Sequence, residues 1–215
     1  MSTVVTAGIV LRQSPYNDFD RQYVIYTRDL GKVLAIAKGG QKTISKLSPH
    51  LGAFFVSDLM LAKGVNVYRI AASRVVTNFF SLVVEPDKTV LTGYLWQLID
   101  KAVRFDYNDS VIFVLLADFL AKLTKTQNQQ QSLLIFNASL FALLSRLGYC
   151  PIVREVNNQR QLFKLLNQLA VEVVETELKN QQAVSQLFDS SSLKTGGQHY
   201  GVVNRIGIEN RSQIN

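Results

Sequence analysis

Thr27-Arg28-Asp29-Leu30-Gly31-Lys32-Val33-Leu34-Ala35-Ile36-Ala37-Lys38-Gly39-Gly40-Gln41-Lys42-Thr43-Ile44-Ser45-Lys46-Leu47 is the stretch on which the fold turns. It passes from a tight turn at Asp29-Leu30-Gly31 into a short apolar strand, and then into a glycine-rich loop. Lys32, Lys38, Lys42 and Lys46 punctuate it, and no acid follows Asp29 until Asp58. A fixed strand feeding a mobile cationic loop is a natural surface for a polyanion.

Upstream, Val5, Ala7, Ile9 and Leu11 alternate through residues 3–12, the period-two pattern of a half-buried strand. Ser14-Pro15-Tyr16-Asn17-Asp18 has turn chemistry, and Gln22 to Arg28 returns as a β-rich run that forms a hairpin with Lys32 to Ala37. Downstream, Ala53 to Leu61 and Asn66 to Ala72 pair around Lys63-Gly64, and Ser73 to Val84 reads as a further strand or a connector. Such short strands with turns between them predict a small barrel, specifically an OB-type barrel over residues 1–82. Barrels of this type bind single strands with a basic groove and stacking aromatics. Alternation puts Tyr23 and Ile25 on one face and Val24 and Tyr26 on the other, so only one of these tyrosines need be exposed. Tyr16 and Tyr26 are the base-stacking candidates.

At Glu85-Pro86-Asp87 the period changes from two to 3.6. Val90, Tyr94, Leu95, Leu98 and Ala102 make one helical stripe between Thr89 and Phe105. Asn108-Asp109-Ser110 offers N-caps for a helix through Lys122, which is apolar almost all round and so is expected at the centre of a bundle. Ser132 to Leu147 is a third helix, stopped at Gly148 before Pro151. Gln161 to Phe188 is helical with a break near Asn180. The expected organisation is α+β: an OB-fold domain at 1–82, a helical bundle at 88–188, and an irregular or flexible tail at 189–215. Val202 to Ile208 carries a short apolar alternation within that tail.

Charge follows this division. The first 80 residues hold ten of the 23 lysines and arginines but only four of the 16 acids, so they carry almost all of the net charge of +7. That asymmetry favours nucleic-acid binding by the barrel. Lys38, Lys42 and Lys46 lead the candidates, supported by Arg28, Lys32, Arg69 and Arg74; Lys63 reads as a solvated surface residue.

Catalytic patterns are missing. Gly39-Gly40-Gln41-Lys42-Thr43 fails as a phosphate loop, because Gln41 separates the lysine from the glycine. Cys150 is the sole cysteine and reads as a packing residue, while His50 and His199 are the only histidines. No disulfide, metal site, cofactor or enzymatic activity is expected. The alternating apolar start lacks a charged leader and no apolar run reaches membrane length, which predicts a cytoplasmic protein.

Several elements resemble the bacterial recombination mediator family RecO. They are Ala7-Gly8-Ile9-Val10-Leu11-Arg12 with Tyr16, Thr27-Arg28-Asp29-Leu30-Gly31-Lys32, Ala37-Lys38-Gly39, and Ser45-Lys46-Leu47 with Leu51. Leu143-Leu144-Ser145-Arg146-Leu147-Gly148-Tyr149-Cys150-Pro151 is similar to that family's leucine-rich helix ending in Gly-Tyr-x-Pro. The resemblance implies an OB-fold followed by helices, and binding of single- and double-stranded DNA at the nucleoid. It also implies annealing of complementary strands and help in loading the recombinase, with RecR and the single-strand-binding protein as partners. Many relatives carry a four-cysteine zinc site after the Gly-Tyr-x-Pro element, and Val153 to Arg160 contains no cysteine. Two other readings remain open at this level. One is an adaptor whose helices bind an acidic peptide, with Arg146 as a contact; the other is an RNA-binding module of the same barrel class.

Overall fold

The computed structural model describes residues 2–65, 67–149 and 158–193. Cys150, His199, the interval before residue 158 and the alternation at Val202–Ile208 lie outside the described residues. Among the described residues five strands come first: β1 (Thr3–Pro15), β2 (Arg21–Thr27), β3 (Gly31–Ala37), β4 (Phe55–Lys63) and β5 (Tyr68–Asn78). They close into a barrel in the order β1-β2-β3-β5-β4, with all neighbours antiparallel except β3 and β5. The expected barrel-then-helices class is therefore the observed one. The ambiguous run after Ala72 divides, since β5 continues to Asn78 and a 3-10 turn covers Phe80–Val84.

Closure makes the strand alternation two-sided. Val10, Tyr23, Ile25, Val33, Ala35, Leu59 and Leu61 fill the barrel interior. Ile9, Leu11, Val24 and Tyr26 point outward from β1 and β2 into a second core shared with the helices. Gly8 is required where β1 passes closest to its neighbours, because a Cβ there would stand 2.7 Å from Leu59 and 2.8 Å from Ile25.

Among the described residues five helices follow: α1 (Pro86–Ala102), α2 (Ser110–Thr124), α3 (Gln129–Arg146), α4 (Gln159–Val174) and α5 (Gln181–Leu193). Asp109, Asn128 and Asn158 cap α2, α3 and α4 by accepting hydrogen bonds from backbone N–H groups two or three residues on. The central helix is α1 rather than α2. Its Leu91, Tyr94, Leu95, Trp96, Leu98 and Ile99 are all buried, whereas Val111 and Val114 on α2 face solvent. Tyr94 meets Phe136 edge-on at 5.4 Å, and Phe163 stacks on Phe188 at 4.8 Å, which ties α1, α3, α4 and α5 into one core. The break between α4 and α5 begins at Glu175, in the left-handed conformation, before the position expected from sequence. The irregular stretch expected from Asp189 also starts later. α5 runs on to Leu193, with the Ser190 hydroxyl donating to the Leu187 carbonyl at 3.0 Å. Among the described residues no helix is long and apolar enough to cross a membrane.

Barrel and helices are joined by polar as well as apolar contacts. Trp96 Nε1 donates to the Ala53 carbonyl at 3.2 Å, and the Tyr26 hydroxyl to the Asp109 carbonyl at 3.0 Å. Arg12 pairs with Asp100 at 2.7 Å. Gly31, at φ 67°, lies so close to Tyr107 that a Cβ would collide with the Tyr107 carbonyl.

Candidate nucleic-acid interface

The lysine-bearing loop after β3 is held in place along its length. Gly40 N–H donates to the Ala37 carbonyl at 3.2 Å, Lys42 N–H to Gly39 at 3.1 Å, and Ser45 N–H to Lys42 at 2.9 Å. The Ser48 hydroxyl closes the series on the Gly40 carbonyl. These successive turns replace the loose loop expected from its glycines, and they fix where Lys38, Lys42 and Lys46 emerge.

A second set of bonds straps this loop to the turn between β1 and β2. Gln41 N–H donates to the Phe19 carbonyl at 2.9 Å, and its side-chain amide to the Asn17 and Asp20 carbonyls at 2.6 and 2.7 Å. Gly39 N–H donates to the Asp20 carboxylate at 2.8 Å. Lys42 Nζ rests 4.9 Å above the Phe19 ring. Turn and loop therefore form one platform.

On the other side of Lys38, β3 meets β5 in parallel register, with Ile36 opposite Arg69. The gap between loop and β4–β5 hairpin is a groove of about 420 Å³ lined by Lys38, Leu47, Lys63, Arg69 and Ala71, among others. Lys38, Lys42, Lys46, Lys63 and Arg69 are all exposed. Among the described residues none of the five has an acidic partner within ion-pair distance. A cationic track thus runs from the β1–β2 turn across the loop to the β4–β5 hairpin. Lys63, set aside on sequence grounds, belongs to it.

The remaining candidates lie elsewhere. Lys32 opens β3 while Lys38 follows its end, and six extended residues separate them by about 20 Å. Lys32 is 3% exposed; its Nζ donates to the Asp100 carbonyl at 2.6 Å and sits 4.4 Å over the Phe105 ring. Burial lowers its pKa below the usual lysine value, the nearby Asp100 opposes that shift, and the charge of Arg12 acts in the same direction as burial. Its predicted phosphate contact is therefore corrected to a strut between barrel and helices. Arg28, at the same end of the hairpin, pairs with Asp29 at 3.3 Å. Arg74 is exposed but pairs with Asp58 at 2.7 Å.

Tyr26 is corrected in the same way. It is fully buried against the helices, and burial first of all pushes its hydroxyl pKa up. Tyr23, on the opposite face of β2, is buried inside the barrel, so neither tyrosine of this pair is exposed. The helices cover the face that an isolated barrel would leave open. Tyr16 remains a stacking candidate at 51% exposure, and Phe19, which sequence reasoning passed over, joins it at 59%. The available signal was an aromatic residue set among Asn17, Asp18 and Asp20 in a polar turn.

Arg146 is half-exposed, but its Nε donates to the Asp109 carboxylate at 2.6 Å. That hydrogen bond is the largest cause of its raised pKa, followed by the charge of Asp109. Arg146 therefore compensates a nearly buried helix cap rather than presenting a free cation to a peptide. With one cysteine and two histidines in the sequence, a four-cysteine zinc site does not fit this chain. No cluster of three or more metal-ligating side chains occurs among the described residues.

Residues 1–79 match the family described as Recombination protein O N terminal. The chain is 24% identical over 170 residues to "DNA repair protein RecO" of Caldicellulosiruptor saccharolyticus, covering 78% of this chain and 70% of that protein. It is 28% identical over 150 residues to "DNA repair protein RecO" of Clostridium perfringens, with coverages of 69% and 60%. The protein of the same name from Caldanaerobacter subterraneus is 26% identical over 153 residues, covering 71% of this chain and 61% of the relative. Two of these three matches thus span less than two thirds of the relative.

Proposed function

We propose, on the match of residues 1–79 to the family described as Recombination protein O N terminal and on the similarity that continues into the helices, that this chain is a DNA-binding protein of recombinational repair. The observation that carries the reading is the track of Lys38, Lys42, Lys46, Lys63 and Arg69, none with an acidic partner among the described residues. Cations in such a track neutralise phosphates and release condensed counterions, so affinity is gained mainly from the backbone of the nucleic acid. Single and double strands both present that backbone.

Annealing follows from the same physics. Two strands repel each other through their phosphates. A surface that screens this charge while leaving base edges uncovered lowers the barrier to pairing. Recombinase loading, and association with RecR and the single-strand-binding protein, are the further activities that fit this family reading; the nucleoid is the fitting location.

The test is a strand-annealing assay at low salt with complementary oligonucleotides. The protein accelerates annealing, and Lys38→Gln, Lys42→Gln and Lys46→Gln combined reduce that acceleration at least tenfold while leaving thermal stability unchanged. Annealing at the spontaneous rate in the presence of the unaltered protein overturns the proposal.

A further inference from the structure

The turn at Tyr16–Asp20 differs chemically from the track it adjoins. It carries two acids, Asp18 and Asp20, and two exposed aromatic rings, Tyr16 and Phe19. Phosphates are therefore disfavoured at the turn and favoured at the lysines beside it. An apolar ring on a surface is ordinary when it stands alone on a mobile segment. Phe19 does not stand alone. Its carbonyl accepts from Gln41 N–H, the carbonyls of Asn17 and Asp20 accept from the Gln41 amide, and the Tyr16 N–H donates to the Asp20 carbonyl at 3.1 Å. The ring is thus pre-positioned, with the Lys42 ammonium against it and more than half of the residue still open to solvent.

Resting on the nucleic-acid reading above, we propose that Phe19, with Tyr16 beside it, is a base-stacking residue that makes the turn end of the track specific for unpaired bases. An unpaired base offers its face to an aromatic ring, whereas a base within a duplex is already stacked on both sides. The cation beside Phe19 serves twice: it holds the ring and it meets the phosphate next to the stacked base. Lys38, Lys63 and Arg69 then bind any backbone, and Phe19 distinguishes single strands from duplex.

Phe19→Ala, in the full chain, tests this with three probes at one salt concentration: an oligo-dT strand, an abasic strand of the same length, and a duplex. The expected result is a loss of roughly 5- to 150-fold on oligo-dT, with abasic-strand and duplex affinities within twofold of the unaltered protein. Phe19→Trp supplies a second readout, because the only native tryptophan, Trp96, is buried. Its new emission is quenched by oligo-dT and not by the abasic strand. Equal losses on all three probes, or no loss on any, overturn the stacking role while leaving phosphate binding in place. Failure of the unaltered protein to bind any probe overturns the stacking role and the DNA reading together.

Discussion

Lys32 and Asp100 are joined across the seam between barrel and helices by a hydrogen bond of 2.6 Å from the Lys32 Nζ to the Asp100 carbonyl. The Asp100 carboxylate at the same position pairs with Arg12 at 2.7 Å. One residue of α1 therefore holds two cations of the barrel, and it holds them for the fold. Lys32→Met should lower stability by about 1–3 kcal/mol, the scale of losing a partly buried hydrogen bond to a charged donor. The salt dependence of DNA binding should remain as in the unaltered protein. Urea titration and filter binding measure the two effects separately.

Arg146 and Asp109 form the second such device. Asp109 caps α2 through Val111 N–H at 3.0 Å while nearly buried, so removal of Arg146 leaves its charge without compensation. Because Arg146 itself is half-exposed, Arg146→Met is expected to cost about 1–3 kcal/mol rather than the full value of a buried pair. Asp109→Asn in the Arg146→Met background recovers part of that loss, since asparagine still caps. A double-mutant cycle by thermal unfolding checks the sign of the coupling.

Gly31 has two independent reasons to be glycine: a φ of 67° and a close approach to the Tyr107 carbonyl. Gly31→Ala should destabilise by at least about 1–3 kcal/mol. The strain falls on the junction rather than on the lysine loop. Amide exchange should accelerate first around Phe105 to Asn108.

Asp29 gives a pH signature. Its carboxyl pKa lies below the usual value because it accepts a hydrogen bond from the Thr6 hydroxyl at 2.7 Å, with a further contribution from Arg28. A depressed folded-state pKa contributes stability that is present above the unfolded value of about 3.9 and is lost as pH falls through the lower folded value. Thr6→Val should move the Asp29 titration, followed by NMR, back towards that ordinary value.

The barrel was legible because period-two alternation and turn residues are local properties. An N-terminal cap within Asn108-Asp109-Ser110 was legible for the same reason, and the structure assigns it to Asp109. What escaped was long-range coverage. Nothing near Tyr26 in sequence signals that the backbone carbonyl of Asp109, more than eighty residues on, will accept a hydrogen bond from its hydroxyl. Lys32 reads like its neighbours Lys38 and Lys42 until α1 is placed against it. Lys63 looked isolated because Lys38 reaches it only through barrel closure, where β3 meets β5; Arg69 is its neighbour across the local β4–β5 hairpin. The centrality of α1 over α2 was likewise hidden, since mean apolarity does not say which helix is surrounded.

The central claim is that Lys38, Lys63 and Arg69 form one phosphate-binding track. It is tested most directly by the slope of log affinity against log salt for a single-stranded oligonucleotide. Replacing these three residues with glutamine should make the slope shallower by about 2, at about 0.7 for each phosphate that is no longer neutralised. An unchanged slope, with binding intact, would contradict it.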